Sequence, residues 1–225
     1  GSRLTDETSF GVTVNNVNDA PVLTDIGPQS TNEEEALIAL SVDFSDVDIH
    51  DPSDTHTITV ESSSPSDVAV ENLSGDVSGS TYDLVPSTDF HGDVTITVTV
   101  MDSGVDNLSD IEVYTLTITP INDAPVMTAI EDTSTAEDTP LTITVSSSDI
   151  DTGTGPGDEN VPEYSCSSSG DLSVVCSVSG DQLTMDPSED FHGYVTITVT
   201  VIDDGELSGS TDFLLTVDPV NDAPV

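Results

Sequence analysis

The sequence predicts an all-β chain of two tandem seven-stranded β-sandwiches in a linear rod, on three observations. The tag Asn-Asp-Ala-Pro-Val occurs at 18–22, 122–126 and 221–225, so its copies start 104 and 99 residues apart. The segment 90–100 recurs as 191–201 with ten of eleven positions identical. Within it Val94, Ile96, Val98 and Val100 alternate with Asp93, Thr95, Thr97 and Thr99, the period of two that a strand with one buried face requires. A period of about 100 residues is one small domain.

The elements follow in order. Residues 1–17 hold a Gly1-Ser2 cloning remnant and the last strand of a preceding repeat, Phe10 to Asn15. One strand cannot bury a face, so it is expected to fray or to pair with a neighbouring molecule. Repeat one runs over 18–121 and repeat two over 122–220, and 221–225 opens the next linker, so the chain reads as a slice of a longer array. In repeat one a short strand follows Pro21, where a missing N–H costs least. Further strands are expected at 36–44, 56–61, 68–72, 80–85, 94–100 and 111–119, separated by Ser, Gly, Asp and Pro clusters, and repeat two copies them. Seven strands in about 100 residues is the arithmetic of an immunoglobulin-like sandwich.

Charge narrows the function. The 225 residues carry 44 Asp plus Glu against one basic residue, Arg3, for a formal net charge of −43, which repels nucleic acid and anionic membranes. No run of 18 apolar residues predicts a membrane span, and no basic-then-apolar start reads as a signal peptide. The acids are scattered between regular Val, Ile, Thr and Leu runs instead of gathered in blocks, which argues against a disordered acidic tail. They divide into 31 Asp and 13 Glu. The shorter carboxylate is favoured in turns and in hard-cation loops, so the bias fits calcium-binding loops; the alternative is a halophilic or marine solvation surface.

Particular carboxylates recur at strand ends in both repeats. A Glu precedes the second strand (Glu33, Glu137), an Asp-x-Asp follows it (Asp46/Asp48, Asp149/Asp151), an Asp precedes the Phe-His-Gly turn (Asp89, Asp190), and an Asp ends the long Val/Thr strand (Asp102, Asp203). Strand direction puts Glu33 and Asp89 at the bottom of repeat one, and Asp149, Asp151 and Asp203 at the top of repeat two, with Asn122 and Asp123 on the linker between. Six or more oxygens are expected to converge there, a set that suits Ca²⁺ better than Mg²⁺, which demands strict octahedral geometry and keeps its waters. Without the ion the junction is expected to be a hinge, and with it the hinge stiffens.

This pattern resembles cadherin repeats, and in particular the cadherin-like tandem repeats of large bacterial surface adhesins of the repeats-in-toxin type. The family linker matches Asn18-Asp19-Ala20-Pro21, Asn122-Asp123-Ala124-Pro125 and Asn221-Asp222-Ala223-Pro224. Its early Glu, its Asp-x-Asp and its Asp after the Val/Thr strand match the residues above. Its Glu thirteen residues before that last Asp falls on Asp89 and Asp190. The resemblance implies metal ligands at all these positions. Ser87 and Ser188 replace one family Asp, and the linker is one residue short, with Thr119-Pro120-Ile121 where an extra Asp would stand. One or two calcium ions are therefore expected at the central junction. Glu33 or Glu34 is the early ligand; alignment on Leu37 and Leu141 favours Glu33.

Smaller signals remain. Cys166 and Cys176, symmetric about Gly170-Asp171, are expected to face each other across a hairpin as a disulfide. His91 and His192 sit beside Asp89 and Asp190, but no third nitrogen or sulfur ligand completes a zinc site, and the Phe-His-Gly unit reads as a turn leading into a strand. No nucleophile elbow, phosphate-cradling glycine loop or cofactor motif is present, so no enzyme is expected. The chain reads as an extracellular, cell-surface extender module whose partners are neighbouring repeats of the same chain. The alternative is calcium-dependent carbohydrate binding or homophilic adhesion, although the absence of Trp leaves few aromatics for a sugar platform.

Overall fold

The computed structural model describes residues 1, 7–13, 17–48, 54–151, 162–170 and 173–221. The chain divides into two units, Gly1–Thr119 and Pro120–Val225, each with its own core. No helix occurs among the described residues.

Unit one contains β1 (Val22–Leu23), β2 (Gln29–Asn32), β3 (Leu37–Val42), β4 (Phe44–Ser45), β5 (His56–Ser62), β6 (Val68–Glu71), β7 (Ser80–Pro86), β8 (Gly92–Asp102) and β9 (Ser109–Thr119). A four-stranded sheet, β2-β9-β8-β5, faces a three-stranded sheet, β3-β7-β6, and β1 pairs with β4. Unit two repeats this plan with β10 (Val126–Met127), β11 (Thr133–Ala136), β12 (Leu141–Thr144), β13 (Ser147–Ser148), β14 (Glu163–Ser168), β15 (Val174–Ser179), β16 (Gln182–Pro187), β17 (Gly193–Ile202) and β18 (Ser208–Asp218). Its sheets are β11-β18-β17-β14 and β12-β16-β15, and β10 pairs with β13.

Nine pieces make seven strands because two are interrupted. The first strand starts antiparallel to β4 and ends parallel to β9, with Gln29 opposite Leu116, so it changes sheets midway. The change recurs between β10 and β11, where no Gly-Pro breaks the chain, so partner exchange causes it rather than Gly27-Pro28. The second strand bulges between Leu37 and Leu40, where Ala39 adopts φ 56° and donates its N–H to Asp83 at 2.8 Å. In the stub, the described residues 10–13 join no strand, and Phe10 is exposed.

The period of two becomes the core. Val94, Ile96, Val98 and Val100 are buried against Leu116 and Ile118 on β9 and against Val42, Leu84 and Val68 of the other sheet. Val195, Ile197, Val199 and Val201 do the same with Leu215, Val217, Leu183 and Met185. Each apolar side chain removed from water contributes about 1.5–3 kcal/mol, so each unit has its own driving force for folding.

Cys166 and Cys176 are bonded, with their Cα atoms 6.1 Å apart, but not across a hairpin. β14 pairs with β17 and β15 with β16, so the bond ties the edge of one sheet to the edge of the other. Val60 and Val70 hold the equivalent places in unit one and pack against its core.

One buried pair distinguishes the cores. Tyr82 and Tyr114 hydroxyls meet at 2.6 Å in unit one, where Leu183 and Phe213 stand in unit two. Burial pushes both phenols up, and for Tyr114 the hydrogen bond with Tyr82 adds to the rise. A folded pKa above the unfolded value of about 10 gives stability that is complete below that pH and is lost as pH climbs above it. Urea unfolding between about pH 8 and pH 11 is therefore expected to lose more stability in the parent than in Tyr82→Leu/Tyr114→Phe. Equal losses would remove the pair as the cause.

Candidate functional site

Each unit gathers carboxylates at the end of the sandwich where its second strand finishes. In unit one, Asp46 and Asp48 follow β4, Asp102 ends β8, and Asn18-Asp19 leads into β1. The Asp48 N–H donates to Asp46 Oδ1 at 2.9 Å, and the Asp19 N–H donates to Asp48 Oδ2 at 2.9 Å. Asn18 Nδ2 donates to Asp102 Oδ2 at 3.1 Å, while Asp102 Oδ1 accepts the N–H groups of Gly104 and Leu108. Asp46, Asp48 and Asp102 are 8%, 7% and 3% exposed.

Unit two builds the same constellation from the matching residues of its own repeat. Asp151 N–H donates to Asp149 Oδ1 at 3.1 Å, Asp123 N–H to Asp151 Oδ2 at 2.5 Å, and Asn122 Nδ2 to Asp203 Oδ2 at 3.0 Å. Asp203 is buried and also accepts the Leu207 N–H at 2.8 Å. Each Asn lies on the glycine of the loop after the long strand. A Cβ on Gly104 or Gly205 would collide with the side chain of Asn18 or Asn122. The Asp-x-Asp unit thus works as a turn whose outer oxygens receive the incoming linker.

The other end of each sandwich carries the early Glu. β8 rises about 33 Å over its length, which separates Asp89 from Asp102 by the whole sandwich. Glu33 is 2% exposed and Glu137 is 5% exposed, whereas Glu34 is exposed with φ 62°. The Glu33 N–H donates to Thr119 O, and the Glu137 N–H to Asp218 O. Glu137 Oε1 accepts the Val220 N–H at 2.6 Å. The histidines of the Phe-His-Gly turns face these glutamates instead of Asp89 and Asp190: His91 Nδ1 is 3.8 Å from Glu33 and His192 Nδ1 is 3.6 Å from Glu137. Asp89 and Asp190 occupy the left-handed region, φ 58° and 59°, which a short acid tolerates better than most residues. Asn221 is described; Asp222 lies outside the described residues.

Six carboxylates are therefore buried at strand ends in a chain whose only Lys or Arg is Arg3. Burying a carboxylate costs several kcal/mol, which the backbone N–H donors and, at Asp46, Glu33 and Glu137, the facing histidines work to offset. Clustered carboxylate oxygens are hard donors of the kind Ca²⁺ takes, so the residues present are compatible with that ion. Sequence reading missed Asp54 and His56, which stand with Asp46 in unit one. The signal for them is register: His56 opens β5 opposite Asp102.

The Asp203 contacts generate a prediction. In metal-free buffer, Asp203→Ala leaves the Leu207 N–H and the Asn122 amide without their acceptor and is expected to destabilise unit two by about 1–3 kcal/mol in urea unfolding. Gly205→Ala is expected to raise amide exchange around residue 122, because the Asn side chain must leave its seat. Parent-like behaviour in both would show that the linker is not anchored there.

Residues 122–216 match the family model described as bacterial Ig domain. No curated protein matches the chain. Among solved structures, mouse cadherin-23 EC22-24 is similar at 16% identity over 89% of this chain and 65% of that one, with a TM-score of 0.52. Protocadherin gamma C5 EC1-3 is similar at 14% identity over 88% and 68%, TM-score 0.54, and Drosophila N-cadherin EC1-4 at 17% over 91% and 50%, TM-score 0.53. The chain thus spans between half and about two thirds of these structures. At such identities the likeness is one of fold, and the fold of the chain is the cadherin/immunoglobulin-like repeat, with its second repeat matching the bacterial Ig type.

Proposed function

We propose that the chain is a calcium-binding extender segment of a large bacterial surface adhesin of the repeats-in-toxin type, working outside the cell to hold a distal domain away from it. In this reading the repeats run over 18–121 and 122–220, and the junction ion is held by Glu33 and Asp89 of the first repeat, Asn122 and Asp123 of the linker, and Asp149, Asp151 and Asp203 of the second. Asn18, Asp19, Asp46, Asp48 and Asp102 form the half-site towards a preceding repeat. Glu137, Asp190, Asn221 and Asp222 form the half-site towards a following one.

The observation that carries the reading is the burial of Glu33, Asp46, Asp48 and Asp102 in unit one and of Glu137 and Asp203 in unit two, all at strand ends, with almost no cationic side chain in the chain. When bound, calcium supplies a hard divalent charge that takes six to eight oxygens. The chain's own residues do the positioning. The Asp-x-Asp turns and the Asp ending each long strand hold the linker Asn and Asp in place, and the separate apolar cores keep each sandwich folded whether or not the ends are neutralised. With the dissociation constant of about 10⁻⁴–10⁻³ M common in extracellular modules, millimolar calcium contributes about 0.5–1.5 kcal/mol per site, enough to bias a hinge.

Small-angle scattering is expected to show a longer and stiffer particle in calcium than in chelator; an unchanged maximum dimension rejects the stiffening. Calorimetric titration with calcium is expected to lose a binding event in Asp151→Ala. Unchanged stoichiometry would show that the junction site lies elsewhere.

A further inference from the structure

Asp46, Asp54 and His56 form a group apart from the recurring carboxylates. One carboxylate oxygen from each Asp and one ring nitrogen of His56 lie within 4.8 Å of one another. Asp54 and His56 are two residues apart in an extended segment and so share a face. Between them Thr55 is pinned, its N–H donating to Ser103 Oγ at 2.8 Å. The His56 ring packs on Phe44, centroids 4.8 Å apart, and its Nε2 meets Asp46 Oδ2 at 2.9 Å, with the two side chains 6% and 0% exposed.

Asp54 supplies the independent observation. Both its carboxylate oxygens are sealed from solvent, each exposing under 1 Å², and neither has a hydrogen-bond partner. Among the described residues they are the buried side-chain oxygens left in that state. A desolvated carboxylate facing another carboxylate and an imidazole, with no donor of its own, is a group that a bound cation would satisfy.

We infer that Asp46, Asp54 and His56 bind a borderline first-row divalent cation of the Zn²⁺ type, in repeat one alone. Calcium takes oxygen ligands, whereas an imidazole nitrogen with two carboxylates is a donor set for zinc and its neighbours in the first row. Ligands at about 2.0–2.2 Å from a tetrahedral ion stand about 3.3–3.6 Å apart, so the shell closes once the 2.9 Å His56–Asp46 contact opens slightly and Asp54 stands within that spacing, with the fourth position left to water. The ion would take the place of the proton now shared by His56 Nε2 and Asp46 Oδ2. Repeat two cannot copy the site. Val60 and Cys166 hold equivalent places opposite Val98 and Val199, which puts Pro162 where His56 stands. The inference does not rest on calcium at the junction; Asp46 belongs in the proposed function to the half-site towards a preceding repeat.

The test is calorimetric titration of the full chain with ZnCl₂ in excess calcium, with zinc K-edge absorption on the parent complex. One tight zinc is expected, with nitrogen in its first shell. In His56→Gln the affinity is expected to fall at least about tenfold, since even losses beyond the first shell cost 10–100-fold, while circular dichroism stays parental. Overturning results are weak binding to many sites that His56→Gln leaves unchanged, displacement of zinc by calcium, or an all-oxygen shell in the parent, which needs no variant to interpret. Calcium stoichiometry at the junction is read separately, so either idea can fail alone.

Discussion

Carboxylates buried at strand ends, with one arginine in the whole chain to set against them, are the constraint on which the ends of each sandwich depend. Every such group must be met by N–H donors, by a proton or by a cation, because an isolated charge out of water is unsupportable. Some of the donors come from the turns beside these carboxylates and others from the linkers. Asn18 and Asp19, and again Asn122 and Asp123, spend side-chain and backbone N–H groups on Asp102, Asp48, Asp203 and Asp151. The segment entering each unit is therefore fastened by strand-end carboxylates, and in the proposed role the same oxygens would also serve as ligands.

Folding and charge occupy different parts of each unit. The alternating Val and Ile of β8 and β17 build cores free of charge, closed at one edge of unit two by the disulfide and filled in unit one by a tyrosine pair. Hydrophobic burial is non-directional and sums over many side chains, whereas the strand-end oxygens are few and directional. In the proposed role, binding energy at the ends need not be spent on folding the sandwich and is free to act on the linker.

Much of this was legible in the chain. Repetition of the Asn-Asp-Ala-Pro tag and of the Phe-His-Gly segment marked two domains, and period two marked their strands, because facing is a local property that each residue reports. The first strand's change of sheet and its parallel pairing with β9 or β18 left no such trace, since alternation says which side is buried and nothing about the neighbour. For the same reason Cys166 and Cys176 read as hairpin partners although they bridge two sheets. His91 and His192 sat beside an Asp in sequence and face a Glu in space.

By itself the sequence determined the all-β class, the two repeats, the composition of their cores and the strand-end positions of the acids, all consequences of spacing along one chain. The tertiary structure alone decided which oxygens are buried, which linker amide meets which Asp, and that Asp54 and His56 stand against Asp46. Those outcomes depend on register between strands far apart in sequence, where a shift of one residue would turn each side chain to the opposite face.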